Sequence, residues 1–541
     1  MIRIARVFYC TVCVIVLFAF SESRADDTVD ITHYAFDITL SDDSDRVEVA
    51  AAIHLIVLQS TSSVTLDLVG TGADGKGMAI SSVSVDGLNT SFMHSDDRVT
   101  IDLVAPASPG DEVLVEIAYS GIPRDGLIIS RNKHGDRTFF GDNWPNRARN
   151  WLSVVDKPAD KATVAFAVTA PDHYQVVANG RLREESHNAD GSRLTRWESG
   201  VPLATKVMVI GVARFAVDHV GVFHSVPLQS WVYPQERDKG FYDYRMAWPI
   251  LDYFVDKIGP FPYEKLANVQ SKTIYGGMEN AGSIFYHENS IDGRRGSETL
   301  FAHEIAHQWF GDSVTEQHFH HVWLSEGFAT YFTNLYMEHM YGTARMNERL
   351  TSSRQSISNY ADANPDSPVV DTSITVLTNL LSTNTYQKGG WVLHMLRREI
   401  GDETFWEGIR NYYAKHRDSN ALTSDFAAVM EDVSGVDLAW FFDQWIFTPS
   451  IPALDVSWSY NELERRVIVD ARQSHIGRYV YQLPVQLRFD NPDGSQSEVH
   501  QFRMSAGSGR YTFPADVKPE RVVVDPDVNL LARISVTPPT Q

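Results

Sequence analysis

The sequence predicts a multidomain α+β protein: an all-β N-terminal saddle or sandwich, a mainly helical central domain and a small C-terminal β-sandwich. Three observations carry this expectation. Apolar residues alternate with period two from about 30 to 216, as half-buried strands do. After Trp231 the apolar period lengthens to that of helices, and beyond Pro449 and Pro452 the alternation returns. A chain of 541 residues also exceeds what one core organises, so several domains are required.

The first 25 residues, MIRIARVFYCTVCVIVLFAFSESRA, join Arg3 and Arg6 to a short apolar run and close on Ser23-Arg24-Ala25. That is the pattern of a secretory signal peptide cleaved after Ala25. Its roughly 14 apolar residues fall short of the ~20 that span a bilayer. The mature protein is therefore expected to be exported, to periplasm or medium. Both cysteines, Cys10 and Cys13, lie in this segment, so packing without disulfides holds the mature chain.

Residues 26–216 read as the first β domain, in stretches such as HYAFDITL, RVEVAAAIHLIVL, DEVLVEIAY and ATVAFAVTA with DG and NG turns between strands. Residues 217–450 form the central domain. Helices are predicted there over 235–258, 297–310, 326–341, 344–361, 386–399, 402–416 and 424–433, with KLANVQSKT a strand leading into a Gly-Gly turn. Residues 451–541 return to strands in LDVSWSY, RRVIVDAR, QLPVQLRF, VHQFRM and RVVVDP. A composition 43% hydrophobic and 21% charged excludes a disordered chain. Loss of residues 1–25 removes three arginines and one glutamate, taking the formal charge from −22 to about −24. So acidic a chain is not built for nucleic acid or an anionic membrane surface.

Within the predicted helix SETLFAHEIAHQWF, opened by Ser297 as N-cap, His303 and His307 are four residues apart and share one face. Two imidazoles so placed can bind one zinc ion, and Glu304 beside them can reach a water on it without being a ligand. The third ligand comes from Glu326 in LSEGFATYF, at the start of the next helix. Two histidines and one carboxylate leave a coordination position open, as catalytic zinc sites do. His318, His320 and His321 in EQHFHHV find no position left and are read as structural or surface residues.

HEIAHQWFGD…VWLSEGFATYF, with TIYGGMENAGSIFY upstream and TYQKGGWVLHMLRREIG downstream, resembles the aminopeptidase N family of gluzincin zinc metallopeptidases. The resemblance extends through FFDQWIFTPSIP and into RARNWLSVVDKPADKATVAF of the first β domain. It implies a thermolysin-like catalytic domain binding one Zn2+ and hydrolysing the N-terminal bond of peptides. It also implies that Glu304 is the general base and that Tyr386 stabilises the oxyanion, with Lys388 structural or at the surface. Gly276, Gly277, Met278, Glu279 and Asn280 are implied to bind substrate, Glu279 taking the free α-ammonium while the glycines let a peptide lie alongside as an added strand.

Three departures from the family stand out. Trp144 falls where relatives place a second amine-binding Gln or Glu, and Thr333 where they place an acid supporting a ligand histidine. The large helical C-terminal domain of many relatives is not found in the sequence, and the cleft is therefore expected to be more open to longer peptides. An epoxide hydrolase related to this family uses an aspartate where this chain has Thr378. A metal-free scaffold would lack ligands or base, all present here, and an endopeptidase would not need Glu279.

Overall fold

The computed structural model describes residues 28–475 and 479–537; the predicted signal peptide and both cysteines lie outside the described residues. An eight-stranded sheet dominates the first β region, with Val29–Thr39 near its centre between Lys161–Pro171, its parallel neighbour, and Val47–Val57, its antiparallel one. The alternation that predicts these strands is the burial itself. Val47, Val49, Ala51, Ile53, Leu55 and Val57 point inward, and the residues between them face outward or are half-exposed. A three-stranded and a four-stranded sheet complete this region.

The central region begins with a mixed five-stranded sheet. Ala216–Phe223 and Val226–Val232 form a hairpin whose second strand runs parallel to Leu266–Ser271, itself parallel to Ser283–His287. All six residues of Leu266–Ser271 are buried, which fits a strand covered on both faces. Among the described residues Gly277–Met278 is the outermost strand of this sheet, pairing only with Ser283–His287 through Gly277↔Tyr286 and Met278↔Phe285.

Nine helices are described. The predicted helix over 235–258 is two: α1 (Arg237–Tyr244) and α2 (Ala247–Lys257), broken at Arg245–Met246. Pro249 explains the break, since in the first turn of α2 its missing N–H costs nothing, whereas inside one long helix it would. Then come α3 (Glu298–His307), α4 (Trp323–Tyr341), α5 (Thr343–Ala363), α6 (Gly389–Ile400), α7 (Asp402–His416), α8 (Thr423–Ser434) and α9 (Ala439–Phe442). Ser297 precedes α3, but its hydroxyl donates to Ser290 O at 2.7 Å and does not cap the helix. The aromatic rings of Phe310, Phe328, Phe332, Tyr412 and Phe426 interlock beneath α3 and α4, with Phe310–Phe328 at 4.8 Å and Phe328–Phe426 at 5.0 Å. Rings so packed fix the relative placement of the two helices that carry the candidate ligands.

Beyond a π-helical turn, Asp443–Phe447, a four-stranded and a three-stranded sheet form the C-terminal β region, as a small sandwich requires. No helix among the described residues is long and apolar enough to cross a membrane.

Candidate active site

α3 presents His303 and His307 one turn apart, and α4 brings Glu326 to them in its first turn, where the positive end of the helix favours a carboxylate. The three donor atoms form a nearly equilateral triangle: His303 Nε2–His307 Nε2 3.1 Å, and each nitrogen 3.2 Å from Glu326 Oε2. Donors about 2.0–2.1 Å from one tetrahedral zinc ion lie roughly 3.3 Å apart, so the triangle fits that ion in both size and donor chemistry. His307 Nδ1 lies 3.1 Å from Phe310 O and 3.1 Å from Ser325 Oγ. The carbonyl requires the proton on Nδ1, which turns the Nε2 lone pair toward the triangle. Gly311, at φ +119°, permits this packing, because a side chain there would strike Ser325 Oγ and His307.

The electrostatics of the cluster follow from burial and crowding. Glu304 is pushed well above the usual carboxylate range, first by burial and then by Glu279 and Glu326, with His307 working against them. Burial opposes a charge on His307, yet Glu326, Glu279 and Glu304 outweigh it and raise this imidazole to about 10. Burial lowers His303, and the two imidazoles together hold the Glu326 carboxylate well below its ordinary value despite burial. Tyr386 stands over His303 with ring centroids 5.9 Å apart, on the π-helical turn Asn384–Lys388. Burial and the carboxylates of Glu326, Glu279 and Glu304 raise its hydroxyl well above 10, so it stays a proton donor.

The edge strand at Gly277–Met278 runs beside these groups. Gly276, Gly277, Met278 and Glu279 line one cavity of about 240 Å³ together with His303, Glu304, His307, Glu326, Tyr386, Trp144, Tyr275, Leu300 and Leu381. Gly277 is required there, because a Cβ would overlap the Glu304 carboxylate. Carboxylate oxygens of Glu279 and Glu304 and a nitrogen of His307 all lie within 4.8 Å of one another. Asn280 is fully buried and does not line the cavity, and its side-chain oxygen and nitrogen have no hydrogen-bond partner among the described residues.

Trp144 takes a place in the cavity wall, its ring edge-on to Tyr275 at 6.1 Å and to Phe319 at 6.3 Å. Thr333 does not reach a ligand histidine; its hydroxyl turns back to Ala329 O at 2.8 Å. Thr378 lies in the 3-10 turn Leu377–Leu380, outside the cavity lining. His320 bonds Ile374 O at 3.0 Å and His321 pairs with Thr423 Oγ1 at 2.8 Å, so neither joins the triangle. Lys388 is buried, and its Nζ donates to Ser450 O at 2.9 Å, pinning the start of α6 to the linker.

Two further residues hold the segment and are not singled out by the sequence. Buried Asp142 accepts from Thr273 Oγ1 at 3.0 Å and Ile274 N at 3.1 Å while paired with Arg147, anchoring the approach to Gly276 from the first β region. Gln308 donates to Glu279 O at 2.6 Å. Adjacency to His307 is the one sequence signal for Gln308; Asp142, 131 residues before Thr273, offers none.

Comparison with known proteins follows the same division of the chain. The Peptidase M1 N-terminal domain matches residues 31–207, and the Peptidase family M1 domain matches residues 242–445. Glutamyl aminopeptidase of Homo sapiens is 28% identical over 371 residues, 65% of this chain and 39% of its own length. Probable aminopeptidase 2 of Sulfurisphaera tokodaii is 26% identical over 421 residues, 74% of this chain and 52% of its own. The chain thus spans between two fifths and about half the length of these curated relatives. A solved structure of Legionella pneumophila aminopeptidase A in complex with aspartic acid superposes with TM-score 0.82 at 16% identity, over 94% of this chain and 60% of that one, a likeness of fold.

Proposed function

The chain belongs to peptidase family M1, and on that premise we propose that it is a zinc aminopeptidase releasing single residues from the N-termini of peptides. The observation that carries the proposal is the spacing of Glu279. The α-nitrogen and first carbonyl carbon of a peptide are roughly 2.5 Å apart, so a carboxylate holding the α-ammonium must stand within a few ångströms of the hydrolytic groups. Glu279, Glu304 and His307 meet within 4.8 Å, which leaves room for one residue.

His303, His307 and Glu326 would hold the zinc ion. Bound there, zinc supplies Lewis-acid chemistry, polarising a carbonyl and making water more acidic. Glu304 takes the proton from the attacking water and passes it to the leaving amine. The Tyr386 hydroxyl donates to the oxyanion as it develops. Glu279 pairs with the substrate ammonium, and the free edge of Gly277–Met278 offers its backbone to an extended peptide.

The glutamyl preference in the names of relatives does not carry over. Among the described residues the cavity lining holds Trp144, Tyr275, Met278, Leu300 and Leu381 but no lysine or arginine to match an acidic side chain. We further propose export, which the N-terminal pattern supports; a secreted chain beginning at Asp26 would establish it.

Glu304→Gln tests the mechanism. The variant should keep one zinc per chain and lose hydrolysis of aminoacyl amides by ~1000-fold or more, consistent with loss of general base catalysis. Near-normal turnover in the zinc-loaded variant would refute the assigned role.

A further inference from the structure

We propose that Gln308 is a positioning residue that sets the one-residue register of this site, by tying the amine-recognition turn to the helix bearing the metal ligands. The proposal rests on the aminopeptidase reading above. Gln308 follows His307 directly and is fully buried. Its Nε2 donates to Glu279 O at 2.6 Å and to Asp312 Oδ2 at 3.0 Å, and its Oε1 accepts from Gly282 N at 2.8 Å. Both amide hydrogens and one carbonyl lone pair are thus engaged.

The two backbone partners are the ends of the turn Glu279–Gly282. Sheet pairing of the recognition strand stops at Met278↔Phe285, and Asn280 O accepts from Ser283 N at 2.8 Å inside the turn. Gln308 therefore takes over where the ladder ends. Asp142 holds the opposite end of the segment through Thr273 and Ile274, and Asn179 Nδ2 donates to Ala281 O at 2.9 Å just before Gly282. Of these clamps, only Gln308 reaches the segment from the C-terminal end of the helix that carries His303 and His307. Gly277 packs against Glu304 of the same helix, and Gln308 adds the hydrogen bonds that fix the turn carrying Glu279.

Removing the amide leaves Glu279 O and Gly282 N buried without a partner, so the turn shifts to recover hydrogen bonds. The amine anchor then moves relative to the hydrolytic groups while the ligands, held by Phe310 O, Ser325 and α4, stay in place. The result is loss of discrimination, not loss of metal.

The test uses the full-length zinc-loaded protein with Gln308→Met and Gln308→Asn. For each variant, kcat and KM are measured on a leucyl amide, its N-acetyl form and a dipeptidyl amide, alongside zinc content and thermal midpoint. With zinc retained, KM for the free-amine substrate should rise tenfold or more, kcat should fall less, and the free-to-acetylated ratio of kcat/KM should drop at least tenfold. A ratio unchanged while kcat and stability fall together would make Gln308 merely structural and overturn the proposal. Loss of zinc from both variants would assign it to the metal helix alone and also overturn it. If the wild type itself cleaves blocked and free substrates equally, the aminopeptidase reading fails first, and the two failures are distinguishable.

Discussion

Lys206→Met should destabilise the protein in a strongly pH-dependent way. Lys206 Nζ and Glu316 Oε1 are 2.5 Å apart, with side chains 1% and 0% exposed, joining the first β region to the strand Val314–Glu316. Burial opposes the ammonium charge, but Glu316, joined by Glu279 and Asp312, outweighs it and holds Lys206 above its ordinary value. The other Glu316 oxygen, Oε2, has no hydrogen-bond partner among the described residues. Burial already raises the Glu316 carboxyl, and without Lys206 it rises further and favours its protonated form. Breaking a buried pair from one side costs about 3–5 kcal/mol, and the part due to protonation grows by up to about 1.4 kcal/mol for each pH unit above the unfolded carboxyl value. A folded pKa raised above the unfolded one costs stability only above the unfolded value, so the deficit shrinks in acid. Denaturant unfolding of wild type and variant at both pH values measures it. Adding Glu316→Gln should recover most of the loss at pH 7, as replacing both partners of a buried pair does. An equal deficit at pH 5 and 7, or no recovery in the double variant, would refute the reasoning.

The remaining predictions concern the linker, the pocket and the base. Burial pushes the Lys388 ammonium down to about 7, below its unfolded value, so the unfolded chain binds more protons from pH 7 to about 10 and stability should rise with pH there. Lys388→Met should flatten that rise by up to about 1.4 kcal/mol per pH unit, read from unfolding at pH 7, 8 and 9. Acidic first residues should be poor substrates, since a side-chain carboxylate buried against Trp144, Leu300 and Leu381 has no cation to pair with. A drop in kcat/KM of ~30-fold or more from leucyl to glutamyl amide is expected, worth about 2 kcal/mol; equal rates would contradict it. The Glu304→Gln outcome stated above separates loss of the base from loss of zinc.

What the sequence makes legible is local in the chain. His303 and His307 are brought together by helical periodicity alone, and Glu326 follows because the next helix begins close by. Strands of the first β region show in the alternation because one face is buried. Where the controlling contact is remote, the sequence is silent. The position of Pro249 in the first turn of α2, and not inside one long helix, depends on how the chain turns at Arg245. Asp142 and Gln308 act on the 273–282 segment across 131 and 29 residues, through hydrogen bonds that no spacing rule anticipates. Asn280 reads as part of the substrate surface from its neighbours, yet it is fully buried and outside the cavity lining. Thr333 illustrates the converse: its place in the chain is visible, but only the structure shows its hydroxyl bound to its own helix.

The central claim is that Glu279 and the His303–His307–Glu326 triangle together count one residue from a free amine. The most direct measurement compares hydrolysis of a leucyl amide and its N-acetyl derivative by the zinc-loaded protein, before and after chelation. The account predicts rapid cleavage of the free amine only, abolished by the chelator and restored by stoichiometric zinc. Comparable cleavage of both substrates, or turnover unaffected by removing the metal, would contradict it.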